Sequence, residues 1–350
     1  MATRIEIEGR LIGSGSPVYI VAEMSANHHQ DFDEAERILH AAKAAGADAV
    51  KLQTYTADTM TIRCDADHFG IKGTLWDGRQ LHELYQEACT PWEWFGPLKA
   101  LARRLQLHLF STPFDETAVE FLEAQGAPAY KVASFELVDL PLLRRVARTG
   151  KPIILSTGMG TREEIDEAVR TIREAGGGEL ALLKCTSAYP ASPEEMDLRT
   201  IPDLAQSFGL PVGLSDHSMD TVVPVTAVAL GACIIEKHFT ITRGTLGPDS
   251  AFSLEPPEFE VMVNAVRTAE RALGGARYGV SDSEAPSCIF RRSLFVVEDM
   301  QAGDRFTPNN VRSIRPAGGL HTRYLDEVLG RCARTSVTRG TPLEWDLVAD

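Results

Sequence analysis

Eight short apolar runs in this chain end on side chains that bind anions, move protons or ligate metals. The first four end on Glu23 (VYIVAE), on Lys51 and Gln53 (DAVKLQT), on Ser111 and Thr112 (LHLFST), and on Lys131 and Ser134 (AYKVAS). The next four end on Ser156 and Thr157, on Lys184 and Thr186, on Ser215 and His217, and on Glu236 and His238. One lysine or histidine at such a place is ordinarily a satisfied core group. A succession of eight reads as a site. Neutral imidazole is a common transition-metal ligand, and two histidines leave positions for water or substrate, so one reading puts a metal at His217 and His238. The other makes one histidine a general acid–base and the other structural. Lys51 and Lys131, with Lys184 as a candidate third, join the hydroxyls of Ser134, Ser156 and Ser215 in a cationic, donor-rich pocket. Charge-assisted hydrogen bonds from such groups suit phosphate and carboxylate oxygens. A Schiff-base lysine is the competing chemistry.

The elements that position these groups follow from the pattern around them. The runs at 18–23, 48–54, 107–112, 129–134, 152–157, 180–186, 211–215 and 233–239 are nearly continuous in apolar residues. Helical patterns lie between them, as at 33–46 and 161–176, the second with the Thr161–Glu164 signature of a capping box. Buried strands alternating with helices argue for an α/β fold with a parallel sheet covered on both faces. Eight of them over roughly 260 residues favour a closed (β/α)8 TIM barrel, whose functional groups collect at the C-terminal strand ends. Alternation pairs Lys51 with Gln53, Ser215 with His217 and Glu236 with His238 on common faces.

The opening RIEIEGRLIGSGSPVYI reads as a hairpin turning at Gly13–Gly15 and plugging the barrel bottom. Residues 55–90 form a long excursion after the second strand, of the kind that shapes a pocket. Trp76, Trp92 and Trp94 are either pocket walls or ordinary packing, and His28 and His29 read as a solvated loop. The helical repeat ends near Gly274. The predicted division is a barrel domain at 1–276, a linker at 277–288 and a small β-rich module at 289–350. So small a module has a marginal core and is expected to dock on a larger surface.

With 49 acidic and 35 basic residues the net charge is −14. That is a poor surface for nucleic acid or an anionic membrane, and no run approaches the 18 or so apolar residues of a membrane helix. The opening MATRIEIEGRLIG does not have the form of a secretory signal. The six cysteines are scattered, without a CxxC pair, as expected of free thiols in a reducing cytoplasm. Neither GxxxxGK[ST] nor HExxH occurs.

The segments AEMSANH (22–28), DAVKLQTY (48–55), STPFD (111–115), YKVASFE (130–136), STGM (156–159), LLKCTSAYP (182–190), GLSDH (213–217), EKHFT (236–240) and GPDSAFS (247–253) resemble the nonulosonic (sialic) acid synthase family. AGDRFTPNNVRSIRPAGGL (302–320) and GTPLEWDLV (340–348) look like that family's antifreeze-like (SAF) domain. The resemblance implies condensation of phosphoenolpyruvate with an amino-sugar aldehyde to a nine-carbon 2-keto acid, with release of phosphate. It implies Mn²⁺, or another divalent cation such as Mg²⁺ or Co²⁺, at His217 and His238. Phosphoenolpyruvate would be held by Lys51, Lys131, Ser134, Ser156 and Ser215, with Thr112 and Ser187 in support. Glu23, Gln53, Tyr189 and Asp249 would contact the sugar, Glu23 as a candidate acid–base, and Arg315 would reach a partner's site in a domain-swapped homodimer. GTLWDG (73–78), TPWEW (90–94), KCTSAYP (184–190) and GPDSAFSLEP (247–256) point within the family to a less hydroxylated sugar, 2,4-diacetamido-2,4,6-trideoxy-altropyranose.

Overall fold

The computed structural model describes residues 4–349, in two compact units that divide between Gly274 and Gly275. An antiparallel hairpin, β1 (Arg4–Ile7) and β2 (Arg10–Gly13), opens the first unit. The barrel strands follow: β3 (Tyr19–Glu23), β4 (Ala49–Thr54), β5 (His108–Pro113), β6 (Tyr130–Val132), β7 (Ile153–Ser156), β8 (Leu180–Cys185), β9 (Val212–Asp216) and β10 (Ile234–His238). All are parallel, each pairs with its sequence neighbours, and β10 returns to β3 to close the ring. The expected closed barrel is therefore the observed one.

The helices in chain order are α1 (Phe32–Ala44), α2 (Ala57–Met60), α3 (Leu81–Ala88), α4 (Phe95–Arg104), α5 (Glu116–Ala124), α6 (Leu140–Ala147), α7 (Arg162–Glu174), α8 (Thr200–Phe208), α9 (Val222–Ala229) and α10 (Pro256–Leu273). Side-chain caps fix several starts. Asp31 accepts from Asp33 N, Asp115 from the amides of Thr117 and Ala118, and Asp139 from Leu142 N. Thr161 and Glu164 form the capping box that the sequence advertises, satisfying two orphan amides at the start of α7. Only α2 and α3 depart from the one-helix-per-crossover pattern, and both lie in the long excursion after β4.

Two apolar clusters share the barrel. The larger fills the space between strands and helices, with Ile20, Val50, Leu109, Val132, Leu155 and Leu214 among its members. The smaller lies inside the ring, where Ile5, Ile7 and Ile12 of the hairpin pack on Tyr19, Val21, Phe110 and Ile234. Those strand residues sit at or near the N-terminal strand ends, so the hairpin is the expected plug. Its turn is placed differently from expectation, however. The chain reverses at Glu8 and Gly9, with φ of 47° and 84°, the two consecutive left-handed residues of a tight hairpin turn. Gly13–Gly15 instead leads out of β2 toward β3.

Alternation also leaves an ion pair outside the lumen. Lys237, between Glu236 and His238, and Asp216, between Ser215 and His217, both take the opposite face. Lys237 Nζ lies 2.6 Å from Asp216 Oδ2, with both side chains fully buried, and also donates to the Ser218 carbonyl. A buried pair is held by its mutual satisfaction, and removing one member strands the other charge. The second unit carries a two-stranded antiparallel sheet, β11 (Ser293–Val296) with β12 (Val311–Ile314). Its own core includes Leu294, Val296, Phe306, Val328 and Leu343. No described helix is long and apolar enough to cross a membrane.

Replacing Asp216 with alanine is expected to lower the unfolding free energy by about 3–5 kcal/mol, read by urea titration. A loss below about 1 kcal/mol would contradict this account of the pair.

Candidate active site

The C-terminal strand ends bring four charged side chains together in the lumen. Lys51 Nζ on β4 lies 3.2 Å from Glu23 Oε2 on β3 and 3.2 Å from Glu236 Oε1 on β10. Lys131 Nζ, arriving from β6 on the far side of the ring, is 3.6 Å from the same Glu236 oxygen. It donates to Ser156 Oγ at 2.7 Å, and Ser215 Oγ donates to Glu236 Oε1 at 3.1 Å. Thr112 Oγ1 accepts from Lys51 at 3.4 Å. Ser134 Oγ accepts from the amide of Gly158 at 3.0 Å. A Cβ on Gly158 would stand 2.3 Å from Ser187 Oγ and 2.7 Å from Ser134 Oγ, so the two hydroxyls converge where only glycine fits.

Burial and pairing separate the two carboxylates. Burial alone raises Glu236, but Lys131 and Lys51 outweigh it and draw the group down to about 2. Glu23 is pushed up to about 7 by burial, and the Glu236 charge reinforces the shift against Lys51. Its Oε1 accepts from Gln53 at 2.9 Å, while the buried Oε2 faces the Lys51 ammonium. Lys51 is raised because Glu23 and Glu236 overcome its burial, whereas burial lowers Lys131. Below about pH 7, where Glu23 holds its proton, the two lysines face a single carboxylate. An anion with phosphate and carboxylate oxygens is the ligand that this surplus suits.

Beside this floor lies a cavity of about 330 Å³. Gln53 Nε2 donates to Ser25 Oγ at 2.9 Å, and Ser25 donates to Asp249, giving one side a chain of polar groups. Tyr189 lies over His217, with ring centroids 4.4 Å apart, and Phe252 lies 4.9 Å from His238. Ile71, Thr74, Trp76, Leu81, Leu84 and Tyr85 of the excursion after β4 also line it. Glu136 also lines the cavity, with a buried, unpartnered Oε2, and burial pushes it up to about 7.

His217 and His238 stand with ring centroids 5.4 Å apart. The Nδ1 of His217 lies 2.9 Å from the Thr186 carbonyl, which fixes its proton there and frees the Nε2 lone pair. His238 is buried, its Nδ1 has no partner, and burial with the nearby cationic side chains keeps the ring neutral. Two converging imidazoles fit a divalent cation. Among the described residues no group of three or more His, Cys, Asp or Glu side chains is placed to hold one, so water and substrate would complete the coordination.

The NeuB family model matches residues 38–278 and the SAF domain model matches residues 291–349. The chain belongs to the NeuB family. Pseudaminic acid synthase of Helicobacter pylori is 46% identical over 331 residues, which is 94% of this chain and 97% of the relative. Pseudaminic acid synthase of Campylobacter jejuni is 44% identical over 327 residues, covering 93% and 95%. The solved N-acetylneuraminic acid (sialic acid) synthetase of Leptospira borgpetersenii matches with a TM-score of 0.73 at 30% identity, over 82% of this chain and 95% of that one.

Within this NeuB-family barrel most of the residues singled out from sequence meet. Glu23, Lys51, Gln53, Thr112, Lys131, Ser134, Ser156, Ser187, Tyr189, Ser215, His217, His238 and Asp249 all lie at the floor, around the histidines or along the cavity. Arg315 belongs to the second unit, exposed just past β12. Lys184 does not join the other lysines and donates to the Cys185 carbonyl at 3.1 Å. Trp76 is the tryptophan at the cavity. Trp92 packs on Phe121, and Trp94 packs on His28 and Phe32. His28 is fully buried rather than solvated, with Thr90 Oγ1 at 3.2 Å from its Nε2. Glu236 stood at a strand end without an assigned role, yet both lysines converge on it. Ser25 and Glu136 were also passed over, although AEMSANH and YKVASFE contain them.

A carboxyl raised in the folded protein keeps a proton that the unfolded chain has already released. Its contribution to stability therefore falls as pH rises between about 4.5 and about 7 for Glu136. In the ligand-free protein, Glu136→Gln should gain melting temperature relative to the native chain across that interval and level off above it. A constant difference from pH 4.5 to 8 would contradict the shift.

Proposed function

We propose that this enzyme condenses phosphoenolpyruvate with 2,4-diacetamido-2,4,6-trideoxy-altropyranose, in its open-chain form. The product is the nine-carbon 2-keto sugar acid pseudaminic acid, and inorganic phosphate is released. One observation carries the reading: two buried lysines share one carboxylate beside a cavity lined in good part by apolar and aromatic side chains. The floor takes a small, multiply charged anion, and the cavity takes a sugar with apolar substituents. The likeness to pseudaminic acid synthases over nearly the whole chain supports the same assignment.

In this mechanism Lys51, Lys131, Ser156 and Ser215 hold the phosphate and carboxylate of phosphoenolpyruvate, with Thr112, Ser134 and Ser187 at the edge. Their fixed donors orient its methylene carbon toward the sugar aldehyde. A divalent cation such as Mn²⁺, held by His217 and His238, would supply a Lewis acid for the aldehyde oxygen. As the methylene carbon bonds to C1, the aldehyde oxygen takes a proton. Glu23, pushed up to about 7 and steadied by Gln53, is the group suited to give it. Positive character then develops at C2 of the former phosphoenolpyruvate, and water adds there. One proton of that water restores the Glu23 carboxyl, and the tetrahedral intermediate collapses by breaking the C2–O bond to phosphate, its hydroxyl proton passing to the departing phosphate and leaving the ketone. Lys131 and Lys51 counter the charge on the departing phosphate. Tyr189, Gln53 and Asp249 position the sugar. The reading extends to a domain-swapped homodimer, in which Arg315 contacts the sugar in the partner's site, and to a cytoplasmic location.

The test is phosphate release from phosphoenolpyruvate with Mn²⁺, using the diacetamido-trideoxy-altrose and N-acetylmannosamine in parallel, with and without chelator. Release with the altrose alone, abolished by chelator, is expected. Release with N-acetylmannosamine alone would overturn the sugar assignment. Glu23→Gln should lower kcat by on the order of 100-fold or more, and unchanged turnover would remove Glu23 from the proton transfer.

A further inference from the structure

The cavity is lined by two parts of the chain that differ in chemistry. Ser25, Gln53 and Asp249 give the barrel side a linked row of hydrogen-bonding groups. The excursion at 55–90 contributes Ile71, Leu81, Leu84 and Trp76, with Thr74 and Tyr85 as its polar members. Trp76 is fixed at its one polar atom, since Nε1 donates to the Pro248 carbonyl at 2.8 Å. The indole then has nothing further to offer a hydroxyl and presents only apolar surface. Its ring lies 5.8 Å from Tyr189 and 6.4 Å from Phe252. Those two rings in turn lie at 6.5 Å and 4.9 Å from His238. Trp76 is thus one ring layer beyond the residues that flank the histidines.

Resting on the function proposed above, the geometry points to Trp76 as a specificity-determining residue that selects a methyl over a hydroxymethyl group at C6 of the sugar. The reacting C1 must lie at the Glu23 and His238 floor, so C6, the far end of the open chain, projects toward the excursion. A methyl group there is buried against apolar carbon. A hydroxyl in the same place gives up water and finds no donor or acceptor on Trp76, Ile71 or Leu84. Apolar pockets reject an added hydroxyl by on the order of 100-fold, and that sets the scale. The Pro248 latch adds a second constraint. Pro248 precedes Asp249, which accepts from Ser25, so the loop that carries one sugar-side carboxylate also holds Trp76 in place.

The test compares kcat/KM for 2,4-diacetamido-2,4,6-trideoxy-altrose and its 6-hydroxy counterpart, by phosphate release, in the native protein, Trp76→Ala and Trp76→Phe. The native protein should prefer the 6-deoxy sugar by on the order of 100-fold. Trp76→Ala should bring the preference below about tenfold, chiefly through the sugar KM, while the phosphoenolpyruvate KM stays as it was. Trp76→Phe, which keeps a ring but lacks the latch, should retain most of the preference. Ile71→Thr places a hydroxyl in the same lining and should narrow the preference too, so the test stands even if Trp76→Ala fails to fold. An unchanged preference in Trp76→Ala, or a phosphoenolpyruvate KM that rises alongside the sugar KM, would overturn the inference and leave the function standing. A native protein that turns over neither sugar would overturn both.

Discussion

A single carboxylate oxygen of Glu236 lies within 3.2 Å of Lys51 and 3.6 Å of Lys131, in a part of the barrel closed to bulk water. Two ammonium groups cannot share such a place unless something negative stands between them, and one carboxylate leaves a positive remainder. Much of the architecture serves that arrangement. Closing eight parallel strands into a ring lets Lys131 on β6 face Glu236 on β10 across the lumen. The isoleucines of the hairpin seal the opposite end with apolar side chains. Below about pH 7, where Glu23 holds its proton, the remainder is not cancelled from the β3 side.

A second buried pair stands behind the first. Asp216 and Lys237 alternate with the inward residues of β9 and β10, and their contact joins these strands on the outer face. His217 follows one member directly, and His238 follows the other. The interaction that holds the strand ends together is therefore adjacent in sequence to both imidazoles. Burial keeps His238 neutral, the Thr186 carbonyl orients His217, and the outward pair fixes the backbone that carries them.

The barrel was legible because its strands are buried on both faces and read as apolar runs, while the caps of its helices are local. Thr161 and Glu164 are three residues apart and announce α7 without tertiary information. The site was legible for a related reason: Lys51, Lys131, His217 and His238 interrupt runs that packing alone would fill with apolar residues. What resisted reading depends on distances across the ring. Glu236 meets lysines from β4 and β6, strands more than a hundred residues away in the chain, and alternation says only that it faces inward. The hairpin turn was misplaced because Gly13–Gly15 looks more turn-like than Glu8–Gly9. Only the pairing of Ile7 with Arg10 settles the matter. The excursion at 55–90 has no period, so nothing in it separates Trp76, at the cavity, from Trp92 and Trp94 just beyond it, which pack elsewhere.

Barrel and excursion thus divide the work. The strand ends supply charge, hydroxyls and imidazoles in a fixed register, and the excursion supplies shape and apolar surface. Such a division lets one floor serve different sugars through changes in one loop. The central claim, that the surplus positive charge beside Glu236 holds phosphoenolpyruvate, is tested most directly by calorimetric titration of phosphoenolpyruvate into the native protein and the Lys131→Met variant. Loss of affinity on the order of 100-fold in a variant that still melts cooperatively is the predicted result, the scale expected for a charged hydrogen bond to the anion. Affinity within about threefold of the native value would place the anion elsewhere and contradict the account.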